Sequence, residues 1–431
     1  MIAVQKALMF CRSNNVYDNI VLYMFLHLLG NIIFPANHLG GGLLCLFSIC
    51  MIVYSIFKYG KFIYPFKGLS SLLYASLVFL IVFCIFFQSY ALRNDSKPWG
   101  NDFMSLLSFH IVVQGYILAY FVPFFILFNY KRFSLFLFIK LSPCIALIGI
   151  GHFIYNINTI VLKISLFNKP EEILFSGEQY SIWFSCVSFC LFLSPYIKNK
   201  KIIVPIVLFA VCALITTIVY ARRGSTLSIV LVLIIASLIN FKSLLLWKKI
   251  MLIFSLFIGS FFVVENLNIN SIPLFNNILD KGLTNTREGE EYYFKKDLFN
   301  SSDIIFGRGL YGTYYRPQYL RDSNGRLRFS EKRNVIETGF YNLILKGGII
   351  FACIYVLLLL GAVYRGLFFS KNNVVKLFSI WILLYLFELY PFGHCFFSVK
   401  FLLIWIGVCI CYNNIYRNLS DKQICALLRI S

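Results

Sequence analysis

Long apolar runs separated by short polar connections dominate this chain, and a single extended polar stretch interrupts them. A helix needs about 20 apolar residues to cross the hydrocarbon core of a bilayer. Runs of that kind lie near 17–35, 40–57, 69–91, 103–128, 133–157, 180–197, 202–220, 224–240, 250–266, 339–363, 374–390 and 396–412, and they predict twelve transmembrane helices. They are too long and too uniformly apolar for the alternating strands of a membrane barrel. Helices that satisfy their own backbone groups are the solution left. Between the ninth and tenth runs, from Glu265 to Glu337, the chain turns polar and gathers most of its few acidic side chains. The expected fold is all-α, a polytopic membrane protein with one large external loop. Its expected parts are 1–264 with helices one to nine, 265–338 as the loop, and 339–431 with helices ten to twelve and a tail. The first run is followed directly by the second with no small-residue cleavage site, and reads as a retained span rather than a signal peptide.

Composition points the same way: the 431 residues are 59% hydrophobic and 13% charged, where soluble domains carry about a quarter charged residues. The net charge of +21 changes the picture only once it is mapped. With the N-terminus inside, Lys58, Lys61, Lys67, Lys131, Arg132, Lys198, Lys200, Lys201, Lys242, Lys248, Lys249, Arg365, Lys371 and Lys376 all fall on cytoplasmic connections. The outer connections stay near neutral, as the positive-inside rule requires. Both termini are then cytoplasmic and the long loop is external. The basic residues come one connection at a time rather than massed with aromatics on one face, so no nucleic-acid partner is expected. Nearly all of the 13 cysteines lie within spans, where cysteine acts as a small hydrophobe, and no disulfide framework is implied. Within the spans, Lys140 is the one ionisable residue that stands out as deep. The external segment Asn158 to Tyr180 mixes apolar residues with Lys163, Lys169 and Glu171. It reads equally as an interfacial helix or as a loop.

Three places carry candidate chemistry. Arg222 and Arg223 sit at the outer turn between spans seven and eight, on the side where arginine is disfavoured. The guanidinium fork suits phosphate oxygens; Gly224 lets a ligand approach the backbone, and the helix starting there offers unpaired N–H groups to an anion. The alternative is snorkelling to headgroups or pairing with a loop carboxylate. In the loop, Arg287, Glu288, Glu290, Glu291, Tyr292 and Tyr293 precede a glycine-dense turn, Phe306-Gly307-Arg308-Gly309-Leu310-Tyr311-Gly312, with Arg308 in its middle. Aromatic faces among charges suit sugars, although a loop folded over a membrane mouth also needs an aromatic core. At the loop's end Glu337 stands at the membrane boundary, followed by Asn342, and Glu388, His394 and Lys400 are expected near the same level. Ionisable residues at that depth are functional candidates, while Glu388 and Lys400 can also simply pair with each other. No Asp-x-Asp metal trap occurs in the loop, Glu288-Gly289-Glu290 resembling it only loosely, and no Gly-x-x-x-x-Gly-Lys-Ser/Thr nucleotide loop is present. Neither a metal nor another cofactor is expected.

An Arg-Gly-Ser turn opening a helix, a long external loop with an arginine and an aromatic stretch, a Phe-Gly-x-Gly turn, and a polar residue eleven positions before a glycine (Gly348) in the next span follow one another in order. Over roughly Ile202 to Val363 this order resembles the O-antigen ligase and polymerase (Wzy-type) superfamily. Many ligase-type members have His-Asn where this chain has Glu337-Thr338, a departure that favours polymerase over ligase. The resemblance implies a glycosyltransferase of the bacterial inner membrane that moves a growing O-antigen or capsule glycan from undecaprenyl pyrophosphate to a lipid-linked acceptor repeat unit. It implies Arg222, Arg223 and Arg287 at the departing pyrophosphate, Glu337 as general base, membrane lipid as surroundings and a chain-length regulator as protein partner. The competing reading is a lipid-linked oligosaccharide flippase or other transporter. Such proteins favour short loops, half-to-half symmetry and midplane charges, and this chain has one concentrated loop and no evident repeat.

Overall fold

The computed structural model describes residues 16–34, 37–83, 116–128, 134–158, 160, 178–220, 222–240, 288–310, 312–321, 327–333, 336–390 and 397–430. Over these residues the chain is mostly helical. Five helices are long and apolar enough to cross a membrane: His38–Tyr59, Phe136–Tyr155, Lys200–Val219, Gly339–Phe368 and Asn373–Tyr390. Five shorter apolar helices, Asn19–Ile33, Leu69–Phe83, Gln179–Leu193, Gly224–Ile239 and Val399–Tyr412, coincide with further predicted runs. The predicted span 250–266, most of the segment from Asn158 to Tyr180, and loop residues 265–287 lie outside the described residues.

The chain divides into two compact units, Met1–Leu137 with Arg287–Arg429, and Phe138–Thr286 with Ile430–Ser431. The described part of the polar loop, from Glu288 on, thus groups with the first and last apolar helices, a grouping that hydropathy alone does not reveal. In the first unit, α1 (Val16–Ile33) and α2 (His38–Tyr59) form a tight hairpin. A β-carbon at Gly30 would lie 2.6 Å from Cys45 Sγ and one at Gly41 2.5 Å from Phe34 Cα, so the two helices close on glycine. α3 (Leu69–Leu80) and α4 (Tyr116–Phe125) follow, joined where the Tyr74 hydroxyl donates to the Pro123 carbonyl at 2.7 Å.

The second unit holds α5 (Phe136–Tyr155, of which the unit takes the part from Phe138), α6 (Glu178–Val187), α7 (Phe189–Leu193), α8 (Ile203–Val219) and α9 (Arg223–Asn240). Two of its hydroxyls bond within their own helices: Ser142 donates to Phe138 O at 2.8 Å and Thr216 to Ala213 O at 2.9 Å. Such back-bonding spares a hydroxyl the cost of burial without a partner. Lys140, read from the sequence as deep in a span, is exposed on the surface of α5.

The remainder of the first unit runs α10 (Glu288–Leu298), α11 (Asp303–Phe306), β1 (Tyr314–Arg321), β2 (Leu327–Arg333), α12 (Gly339–Phe368), α13 (Asn373–Glu388), α14 (Val399–Tyr412), α15 (Asn414–Asn418) and α16 (Asp421–Leu428). α14 is its central helix, with every residue except Lys400 buried. The antiparallel pair β1–β2 qualifies the all-α expectation. It pairs Tyr314 with Arg333 and Tyr319 with Phe329, with an irregularity between Tyr315 and Gln318. Pro317 falls at that irregularity, because proline has no N–H to give a ladder. The sequence did hold a signal: the two strands are separated by a segment with Asp322-Ser323-Asn324-Gly325, whose Asn-Gly favours a hairpin.

Candidate functional site

A break in the longest helix organises the site. Gly348, inside α12, has φ 77° and ψ 176°, a conformation essentially reserved for glycine. Breaking a helix strands the carbonyls of the preceding turn, and in hydrocarbon no water is available to satisfy them. Here the glycine turn of the polar segment does so: Arg308 N–H donates to Leu345 O at 2.7 Å and Gly309 N–H to Lys346 O at 3.0 Å. The fit is backbone against backbone. A β-carbon at Gly307 would come within 2.6 Å of Gly348 N, and one at Gly348 within 2.0 Å of Ile305 O. Those glycines are needed because any side chain would hold the turn off the helix.

Lys346 completes the junction. It is 4% exposed, and its Nζ donates to Gly312 O at 3.0 Å. It lies one turn beyond Asn342, which lies one turn beyond Thr338, so the three share a face of the first part of α12. All three are buried. The Thr338 hydroxyl donates to Glu291 Oε1 at 3.3 Å. The Asn342 Oδ1 is buried and accepts no hydrogen bond among the described residues.

A carboxylate hub lies above the helix. Tyr314 and Arg316 are two apart on β1, and Arg333 is the register partner of Tyr314 on β2. All three reach Glu290 of α10, which is 3% exposed. Its Oε1 accepts from the Tyr314 hydroxyl at 2.8 Å and lies 3.0 Å from Arg316 Nη1 and 2.8 Å from Arg333 Nη1. The other terminal nitrogen of Arg333 stands 3.6 Å from Glu337 Oε1, whose side chain is 52% exposed. Burial, followed by the neighbouring Glu290 charge, pushes the Tyr314 phenol well above its ordinary value. It stays a neutral donor. Phe294 packs against both Tyr314 and Tyr341, with centroids 5.6 and 5.1 Å apart, and ties the subdomain to the start of α12.

Arg308 is held by carboxylates. Its Nε donates to Asp303 at 2.7 Å, and its terminal nitrogens to Asp297 at 2.8 and 3.2 Å and to Thr313 O at 2.8 Å. Burial alone would raise the Asp297 pKa, but hydrogen bonds from Arg308 and from the Tyr315 N–H (2.6 Å) outweigh it and hold the carboxyl below its ordinary value. Across the helix ends, Phe340 N–H donates to Leu389 O at 3.2 Å. Beside that contact Lys400 pairs with Glu388 and lies 5.6 Å from the Trp381 ring centroid.

The first unit therefore brings together Glu337, Arg308, Asn342 and Lys400, four of the residues picked out in the sequence, around the loop-proximal half of α12. Arg308 is turned inward to two carboxylates, and Lys400 makes the ion pair that its sequence position allowed. Arg287 and His394 lie outside the described residues. In the second unit, Arg222 is exposed and its carbonyl accepts from Thr226 N–H at 3.0 Å. Arg223 and Gly224 open α9, and the Arg223 side chain is outside the described set. Sequence reasoning overlooked Lys346, Arg316 and Arg333. Lys346 was readable as a cation well inside a predicted span, and Arg333 as the residue one turn before Glu337. The convergence of Arg316 and Arg333 on Glu290 depends on strand register and had no linear signal. No family model, curated protein or solved structure matches this chain.

Proposed function

We propose that this chain is a repeat-unit polysaccharide polymerase: a metal-independent glycosyltransferase with twelve spans in the bacterial inner membrane, both termini cytoplasmic. It transfers a growing glycan from undecaprenyl pyrophosphate to a lipid-linked acceptor. The observation that carries the reading is the seating of a polar, ion-paired subdomain on a broken membrane helix. Such a device sets charged side chains and a water-facing carboxylate beside hydrocarbon, which is what a substrate with a sugar head and a polyprenyl tail requires. Transporters, by contrast, concentrate charge at the bilayer midplane between symmetric halves.

In the proposed step the acceptor hydroxyl oxygen bonds to the anomeric carbon of the donor sugar, and the bond from that carbon to the pyrophosphate oxygen breaks. The hydroxyl proton passes to Glu337, and undecaprenyl pyrophosphate leaves as the anion. One such displacement inverts the anomeric centre. Arg333 lies beside the Glu337 carboxylate, and the Glu337 side chain is exposed, where an acceptor can approach it. The resemblance gives the leaving diphosphate to Arg222, Arg223 and Arg287, and fixed positive charge at a departing oxygen lowers the barrier.

Cells lacking the chain should carry short, single-repeat glycan on their surface; repeat units retained on the inner face would replace polymerisation by flipping. Arg223→Ala should insert normally and lose long chains. Glu337→Gln keeps the size and cannot take the proton, so transfer in vitro should slow by about 100-fold or more. A wild-type rate for that variant would assign Glu337 to structure.

A further inference from the structure

At the other end of α12, away from the subdomain, two arginines lie near the end of α14, and among the described residues neither is paired with an acid. Arg365, in the last turn of α12, is half-buried, and its guanidinium lies 5.0 Å from the centroid of the Tyr412 ring at the end of α14. Tyr412 is fixed in turn by its hydroxyl, which donates to Leu358 O at 3.0 Å. Arg417, in the short helix that follows, is 9% exposed. One of its terminal nitrogens donates to Asn414 Oδ1, while its Nε–H is buried and has no hydrogen-bond partner among the described residues. Its carbonyl takes the Lys371 N–H at 2.8 Å, so its place in the turn is set by the backbone.

Guanidiniums remain charged in proteins, and a buried charge needs a counter-ion. Among the described residues neither arginine has one. Asp421, which opens α16, is spent on Asn373, accepting from its N–H at 2.7 Å and from its side chain at 3.0 Å. Burial, then the charge of Arg365, depresses the Arg417 pKa. Around them the surface is apolar and aromatic. Tyr364, Phe368, Phe369 and Ile415 are all exposed, with the Tyr364 ring centroid 5.4 and 5.3 Å from those of Phe368 and Phe369, tilted to the first and edge-on to the second. Exposed aromatics at a helix end mark the level of lipid headgroups. Basic pockets between membrane helices at that level bind anionic headgroups.

We propose that Arg365 and Arg417 form a binding site for the phosphate of an anionic membrane phospholipid, whose acyl chains lie along Tyr364, Phe368 and Phe369. A soluble phosphate would use the two guanidiniums and leave the aromatic flank uncovered; a phospholipid uses both. The site lies at the opposite end of α12 from the helix break and makes no use of the chemistry proposed there.

The test uses the full chain in a zwitterionic detergent, with melting temperature and retained lipid, by native mass spectrometry, read after addition of phosphatidylglycerol, phosphatidylcholine or inorganic phosphate. Phosphatidylglycerol should raise the melting temperature and remain bound, whereas phosphatidylcholine and inorganic phosphate should not. Arg365→Gln, at the half-exposed member, should weaken phosphatidylglycerol retention by about tenfold or more, the scale of one charge-assisted contact. Lys58→Gln, an exposed cation on another connection, should leave it unchanged. Arg417→Gln is the more direct variant but removes a buried group, so Arg365→Gln decides if Arg417→Gln fails to fold. Equal protection by both lipids, protection by inorganic phosphate alone, or wild-type retention in Arg365→Gln would overturn the site.

Discussion

Gly348→Ala tests whether the helix break and the glycine turn form one structural unit. The residue holds φ 77° and ψ 176°, and an added β-carbon would sit 2.0 Å from Ile305 O. The backbone conformation alone costs a non-glycine residue about 1–3 kcal/mol. No β-carbon tolerates a carbonyl oxygen at that distance, so the turn must lift. Lifting surrenders the bonds from Arg308 N–H, Gly309 N–H and Lys346 Nζ, at about 0.5–1.5 kcal/mol each. The chain will take the cheaper combination, an overall loss of about 2–5 kcal/mol. Gly289→Ala is the control, because its β-carbon meets nothing within 4 Å and alanine in a helix gains about 0.5–1 kcal/mol over glycine. The assay is thermal melting of detergent-solubilised protein, with limited proteolysis of residues 299–313 as the local readout. Gly348→Ala should melt earlier and be cut faster, and Gly289→Ala should do neither. Equal melting and equal cleavage of the two variants would refute the idea that the turn caps the broken helix.

The other perturbations address the subdomain itself. Glu290→Gln removes the charge that faces Arg316 and Arg333, and should destabilise the first unit toward the lower end of about 3–5 kcal/mol, since both arginines keep some contact with water; unchanged melting would deny Glu290 its role as hub. Tyr314→Phe removes one donor to that carboxylate, at about 1.5–3 kcal/mol, and less when combined with Glu290→Gln than on its own, as a double-mutant cycle would read. Asp297 has a depressed pKa in the folded chain, so its stabilisation is complete above the ordinary carboxylate value of 3.8 and is lost as pH falls through the lower folded value. Tyrosine fluorescence followed from roughly pH 5 to pH 2 should report that loss, and Arg308→Ala should flatten it; an unaltered acid profile would separate Asp297 from Arg308.

How far the linear pattern reached can be judged residue by residue. Glu388 and Lys400 were legible as a pair because both lie near the ends of apolar runs, where a charge must find a partner or leave the bilayer. Arg308 was legible as a residue of interest and not as the centre of an ion-paired knot, since Asp297 and Asp303 converge on it only after α10 and α11 fold back. Lys346 passed unnoticed because attention went to Lys140, yet it is Lys346 that is buried and Lys140 that faces outward. Hydropathy measures the run and not the face.

The chain's own pattern determined its membrane character, the places where apolar helices form and the position of the polar segment, because the cost of exposing apolar side chains or unpaired backbone groups is local and additive along the chain. Tertiary structure alone decided that α12 breaks at Gly348, that the Gly307 to Gly312 turn repairs the break, that Glu290 gathers two arginines, and that Arg365 packs on Tyr412. Each of these joins residues far apart in sequence through strand register or backbone approach, and such contacts depend on three-dimensional distance, which a one-dimensional pattern does not carry.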